Sequence, residues 1–136
     1  MSLDRFEKAH EYAYETALAE MKVGRKRSHW IWYIFPQISG LGHSYNAKFY
    51  AIADLDEARE YIAHPLLNAH LREITAELLN HQDIDIVDLM GSRIDAVKLR
   101  SSMTLFDIVS PNDIYHQVLD AFFDGKKCHR TYSLAH

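Results

Sequence analysis

Two stretches of the chain hold residue types and spacings that could do chemistry. In residues 25–44, three cations (Arg25, Lys26 and Arg27) precede His29, and Trp30 and Trp32 follow at once. Gln37, Ser39, His43 and Ser44 come next, with Gly40 and Gly42 among them. Cations bind anionic groups, indole faces stack on planar rings, and glycine lets a ligand approach the backbone closely. That mixture fits a phosphate-bearing or nucleotide-like small molecule. His29 adjoins the cations and is a candidate acid or base. The plainer alternative makes residues 25–27 a solvated loop and puts Trp30, Trp32 and Phe35 in the core.

The second stretch is a helix running from Arg93 to about Val109, opened by Ser92 with Asp95. Asp95 and Lys98 are three apart and can pair on one face, with Ser102 near Lys98 on the helical wheel. Apolar residues lie on nearly every other side, so this helix is expected at the centre of the fold. A Lys and an Asp on such a helix need partners or water. They form either a structural ion pair or a polar notch at the edge of a pocket. If the two stretches pack together, Arg25, Arg27 and Lys98 would hold negative charge. Trp30 or Trp32 would flank a ring, and Gln37 and Ser102 would orient it. His29 and Asp95 would be the catalytic acid/base candidates.

Elements that could position these residues are legible from the apolar spacing. Phe6, Ala9, Ala13, Ala17 and Met21 form one helical stripe, begun by a capping box at Asp4 and Glu7 and closed by Gly24. The six-residue apolar run at 30–35 reads equally as a buried strand or a short helix. Ser44 caps a short helix, and Asp54 with Glu57 starts another that ends near His64. Pro65 suits the first turn of the next, whose stripe is Leu67, Leu71, Ile74 and Leu78. Residues 110–113 open a last helix that Gly125 stops. The expected fold is all-α, a single domain over 1–136, with six or seven helices and at most one short strand. Residues 126–136 are expected as a loosely ordered tail.

Composition narrows the classes of function. The 136 residues are 48% hydrophobic and 25% charged, which suits one globular domain and excludes a disordered chain. The net charge of −4 argues against non-specific nucleic-acid binding. No apolar run approaches the roughly 20 residues of a membrane span, and the first residues lack the pattern of a secretory signal. One cysteine, Cys128, rules out an internal disulfide and points to a reducing, cytoplasmic location. It reads as a free surface thiol. The nine histidines include no i,i+4 pair, so no metal site and no cofactor are expected. There is no Walker A loop, GxGxxG, GxSxG, HExxH or CxxC.

Several segments together resemble an uncharacterised bacterial and fungal family, domain of unknown function eighteen-ten. They are GRKRSHWIWYIFPQ at 24–37, GLG at 40–42 with Ser44, and YAI at 50–52. Glu57-Ala58, His64-Pro65, and Asp95 with KLRSSMTLF at 98–106 complete the set. The likeness runs over nearly the whole chain and implies a compact, mainly helical domain. It implies no activity. The calpastatin label attached to some members does not fit, because those inhibitors are long disordered chains. The chain departs from the family pattern at His10, where Gln is common, and at His70, where Arg is common.

The sequence therefore points to a small soluble helical domain that binds, and in one version processes, a small anionic ligand. Its pocket would lie between residues 25–44 and 95–104. The alternative is a non-catalytic interaction or homodimerisation module. Whether the chain is an enzyme stays open at this point.

Overall fold

The computed structural model describes residues 3–136. They are mostly helical, with no strand among them. The nine helices are α1 (Asp4–Val23), α2 (Ile31–Ile34), α3 (Tyr45–Phe49), α4 (Leu55–Ala63), α5 (Pro65–Leu79), α6 (Ile86–Met90), α7 (Arg93–Val109), α8 (Ile114–Phe123) and α9 (His129–Ala135). Six have seven residues or more; α2, α3 and α6 are single turns, which accounts for the excess over the six or seven expected.

The stripes land where spacing put them. Phe6, Ala9, Ala13, Ala17 and Met21 are buried on α1, and Leu67, Leu71, Ile74 and Leu78 on α5. Gly24 closes α1 in the left-handed region. The capping box does not form: Leu3 is the N-cap and Asp4 already lies in the first turn, where its charge suits the helix dipole. Ser44, Asp54 and Ser92 cap α3, α4 and α7 as expected, each accepting a backbone N–H. The run at 30–35 resolves as a helical turn. Pro36 then keeps Phe35 out of helical backbone (φ −121°, ψ 75°) and ends the turn. Beyond it, Ser39 donates to Ile52 and Ile52 to Gln37, both at 2.8 Å, which pins residues 37–39 beside Ile52.

Helix α7 is central and packs against α2, α4, α6, α8 and α9. Residues 101–107 are all buried. Where a tail was expected, residues 129–135 form α9 and pack on α7. The anchors come from a distant helix: Arg100 donates to the carbonyls of Lys126 and Lys127, and Thr104 accepts the N–H of Cys128 at 2.9 Å. Nothing local in residues 126–136 announces those partners.

The segment at 25–30 is fixed from two sides. On one, the Glu20 carboxylate accepts the N–H groups of Arg27 and Ser28, the Ser28 hydroxyl and the Trp30 indole N–H. Burial raises the Glu20 pKa, but these four donors outweigh it and the net shift is downward. On the other side, Lys26 is no solvated loop residue. Its side chain is 5% exposed and its Nζ lies 2.6 Å from Asp95 on α7. The same ammonium donates to the Ser28 carbonyl and sits over the Trp30 ring at 4.9 Å. Asp95 thus pairs across the fold rather than with Lys98. Gly91 permits this approach: its φ is +84°, and a Cβ there would come within 2.7 Å of the Lys26 carbonyl oxygen.

The two departures from the family pattern meet in space. His10 and His70 are joined through their Nδ1 atoms at 2.9 Å, between α1 and α5. Nε2 of His10 faces the Tyr33 carbonyl at 2.9 Å and must donate to it, so Nδ1 of His10 accepts and His70 donates. Tyr14 stacks on His70 at 3.6 Å, and its hydroxyl donates to Glu73. Burial depresses the His10 pKa to about 4; the Tyr33 carbonyl opposes this, and His70 and His64 add to it. Burial also lowers His70, with Glu73 opposing.

Two expectations follow. A histidine with a depressed folded pKa binds fewer protons folded than unfolded between about pH 4 and 6.5, so stability falls as pH drops through that window. The His10 contribution is about 3 kcal/mol at the acid end. Urea unfolding at pH 7.5 and 5 should show the loss, and His10→Gln should flatten it; an unchanged slope contradicts the assignment. Separately, Asp95→Asn should cost about 3 kcal/mol by stranding the buried Lys26 charge. Adding Lys26→Met should recover part of that loss in a double-mutant cycle, whereas simple additivity would mean the pair is not coupled.

Candidate functional site: two adjoining cavities on α7

Residues 25–44 and the first turns of α7 meet and leave two hollows between them. The larger, about 620 Å³, is walled by Trp32, Gln37, Ile38, Leu41, Tyr50 and the 93–101 face of α7, and closed by residues 128–130. The smaller, about 320 Å³, is lined by residues 26–29 with Trp32, by residues 90–92, and by Ile94, Asp95 and Lys98. Trp32, Ile94 and Lys98 belong to both.

The candidate residues divide between these hollows. Arg27, His29 and Asp95 line the smaller, Gln37 the larger, and Trp32 and Lys98 both. Three candidates line neither. Arg25 is exposed on the surface beyond them. Trp30 is fully buried with its N–H on Glu20, so it serves the core. Ser102 points into the interior of α7's packing and is wholly buried. A helical wheel places Ser102 near Lys98, but the twist across one further turn carries it to the buried side.

The larger cavity sets three further cations, Arg93, Arg100 and Arg130, beside Lys98. Arg93, Lys98, Arg100 and Arg130 all line it, and no Asp or Glu does. Among the described residues none of these four is ion-paired. Arg100 is held by the carbonyls of Lys126 and Lys127, and Arg130 by that of Gly40 at 3.1 Å. Lys98 lies over the Trp32 ring at 5.0 Å. Arg93, Val97 and Arg100 follow i, i+4, i+7 spacing, which puts them in one row. That row was readable in the sequence. Arg130 was not, since only the fold brings it to α7.

The walls between the cations are apolar. Ile94 and Val97 are 68% and 54% exposed, an unusual share for branched aliphatic residues on a central helix. Tyr50 adds a ring to the lining. Cys128 is a half-buried wall residue rather than a free surface thiol, 3.4 Å from the Ser101 hydroxyl. Burial raises its pKa, yet the Ser101 hydroxyl and the amides at the start of α9 outweigh burial and the net shift is downward. Among the described residues no three His, Cys, Asp or Glu side chains gather as metal ligands. No described helix is long and apolar enough to cross a membrane.

Comparison with known proteins places this architecture. No curated protein matches the chain. The conserved hypothetical protein Rv1873 from Mycobacterium tuberculosis, known from a crystal structure, is 38% identical. The two folds agree with a TM-score of 0.93 over 97% of this chain and 94% of that one. The family described as protein of unknown function (DUF1810) matches residues 1–135. The chain belongs to that family.

Proposed function

We propose that this chain is a binding protein for a small organic anion, nucleotide-like in carrying a flat ring beside its charge, held in the larger cavity. The observation that carries this reading is the set of four cations around one hollow without a carboxylate among them, in a chain whose net charge is −4. Like charges gathered in a concave, partly apolar site repel one another and focus a positive potential there. An anion relieves that repulsion. Arg100 and Arg130 are already oriented by backbone carbonyls, so little side-chain entropy is lost on binding. A bare phosphate would leave Ile94 and Val97 facing water, so a ligand with an apolar or ring-bearing body suits the walls better. Trp32 and Tyr50 offer it ring contacts.

Processing of that ligand is a narrower version of the same reading. His29 and Asp95 line one cavity, within reach of a common guest, and general acid–base work needs such reach. The domain is taken as one unit over 1–136, acting in the cytoplasm. A second reading, an interaction or homodimer surface, draws on the exposure of Ile94 and Val97. Sedimentation as a monomer at high concentration removes the homodimer version.

Calorimetric titration with pyrophosphate and with ribonucleoside monophosphates should detect binding that weakens as salt rises. Arg93→Ala with Lys98→Ala should reduce affinity at least about tenfold, a loss of about 1.4 kcal/mol. Arg93 is exposed and Lys98 has no ion-pair partner, so the fold should survive both changes. Affinity unchanged within about twofold would refute the assignment.

A further inference from the structure

The two cavities share Trp32, Ile94 and Lys98, and both draw on the first turns of α7. Their chemistry differs. The larger holds four cations and no carboxylate; the smaller holds Lys26, Arg27 and Lys98 together with one carboxylate, Asp95. Lys26 takes one Asp95 oxygen, Oδ2. The other, Oδ1, accepts no hydrogen bond from any described residue, and the side chain is 17% exposed where Lys26 is 5% exposed. A carboxylate oxygen at the edge of a hollow is an acceptor for a neutral hydroxyl. Charge-assisted hydrogen bonds of this kind are the strong ones.

We infer that the two cavities are halves of one site, and that its ligand is a hydroxyl-bearing organic phosphate whose anion sits in the larger half while a hydroxyl donates to Asp95 in the smaller. This rests on the anion-binding reading of the larger cavity and adds the part of the ligand that reading leaves undefined. Lys98 stands at the junction, where it can meet the phosphate from the side of the sugar. Sugar phosphates and ribonucleotides share this chemistry. Arg27 and His29, which also line the smaller half, flank the hydroxyl-bearing portion.

The test varies the ligand on the wild-type protein, because replacing Asp95 would strip Lys26 of its counter-charge. Calorimetry compares the four ribonucleoside monophosphates, their dideoxy forms, ribose phosphate and pyrophosphate. At least one ribonucleotide should bind about tenfold or more tighter than its dideoxy form, the scale of one hydrogen bond to a charged acceptor; ribose phosphate discriminated from pyrophosphate to the same degree supports the inference equally and names a sugar phosphate as the source. Equal affinity for ribo and dideoxy forms, with none for ribose phosphate beyond pyrophosphate, overturns the inference. Pyrophosphate binding without any sugar-bearing ligand also overturns it while leaving the anion site standing. No binding by any probe, pyrophosphate included, removes the anion site itself.

Discussion

A buried ammonium is the constraint on which this structure turns. Taking Lys26 out of water costs several kcal/mol, and three interactions offset it: the Asp95 carboxylate, the Ser28 carbonyl and the Trp30 ring. Those partners can be met only if residues 25–30 lie against the first turn of α7. Glu20 imposes the same position from the α1 side, since its four donors all lie between residues 27 and 30. Gly91 leaves room for the resulting close approach. Much of the polar character of the basic, Trp-rich segment is therefore architectural. Lys26, Ser28 and Trp30 hold the segment in place, and Arg27, His29 and Trp32 are left to face the cavities.

The cavities are what remains once that seam is closed. Residues 37–39 are drawn aside to pair with Ile52, and α9 is tied down by Arg100 and Thr104. Between them the 93–101 face of α7 stays uncovered. The arginines at the mouth do two things at once: Arg100 and Arg130 tie loops to the body through carbonyls, and their charge remains without a carboxylate. A carbonyl satisfies donors without neutralising the cation. Positive charge and geometry are thus set before any guest arrives, which is the condition for tight recognition by a small number of polar groups.

What could be read in the sequence tracks how local each determinant is. The stripes of α1 and α5 and the caps at Ser44, Asp54 and Ser92 follow from residues within one or two turns, and the structure has them. The apolar sides of α7 marked it as central, but its meeting with residues 25–44 was only a condition in the sequence and is made by long-range contacts such as Lys26 with Asp95. The partner of Asp95 was misread because Lys98, three residues away, satisfies the local rule, while burial of Lys26 is a property of the whole fold. Ser102 shares a wheel sector with Lys98, but one turn on that sector is buried in the fold. Arg93 and Arg100 carried a legible row with Val97. Arg130, Cys128 and the helix around them did not, because their anchors lie more than twenty residues away, on α7 for residues 126–128 and at Gly40 for Arg130. The contact of His10 with His70 likewise joins α1 to α5, and only their shared departure from the family pattern marks them beforehand.

The central claim is that the uncovered face of α7, with residues 128–130 and Trp32, forms one cationic recess. Nitrogen-15 NMR titration of the protein with pyrophosphate tests it most directly. The account predicts saturable shifts concentrated on the amides of residues 93–101 and 128–130 and on the Trp32 indole, with the buried Trp30 indole little changed. Shifts scattered over surface lysines such as Lys8, Lys22 and Lys48, or none at millimolar pyrophosphate, would contradict it.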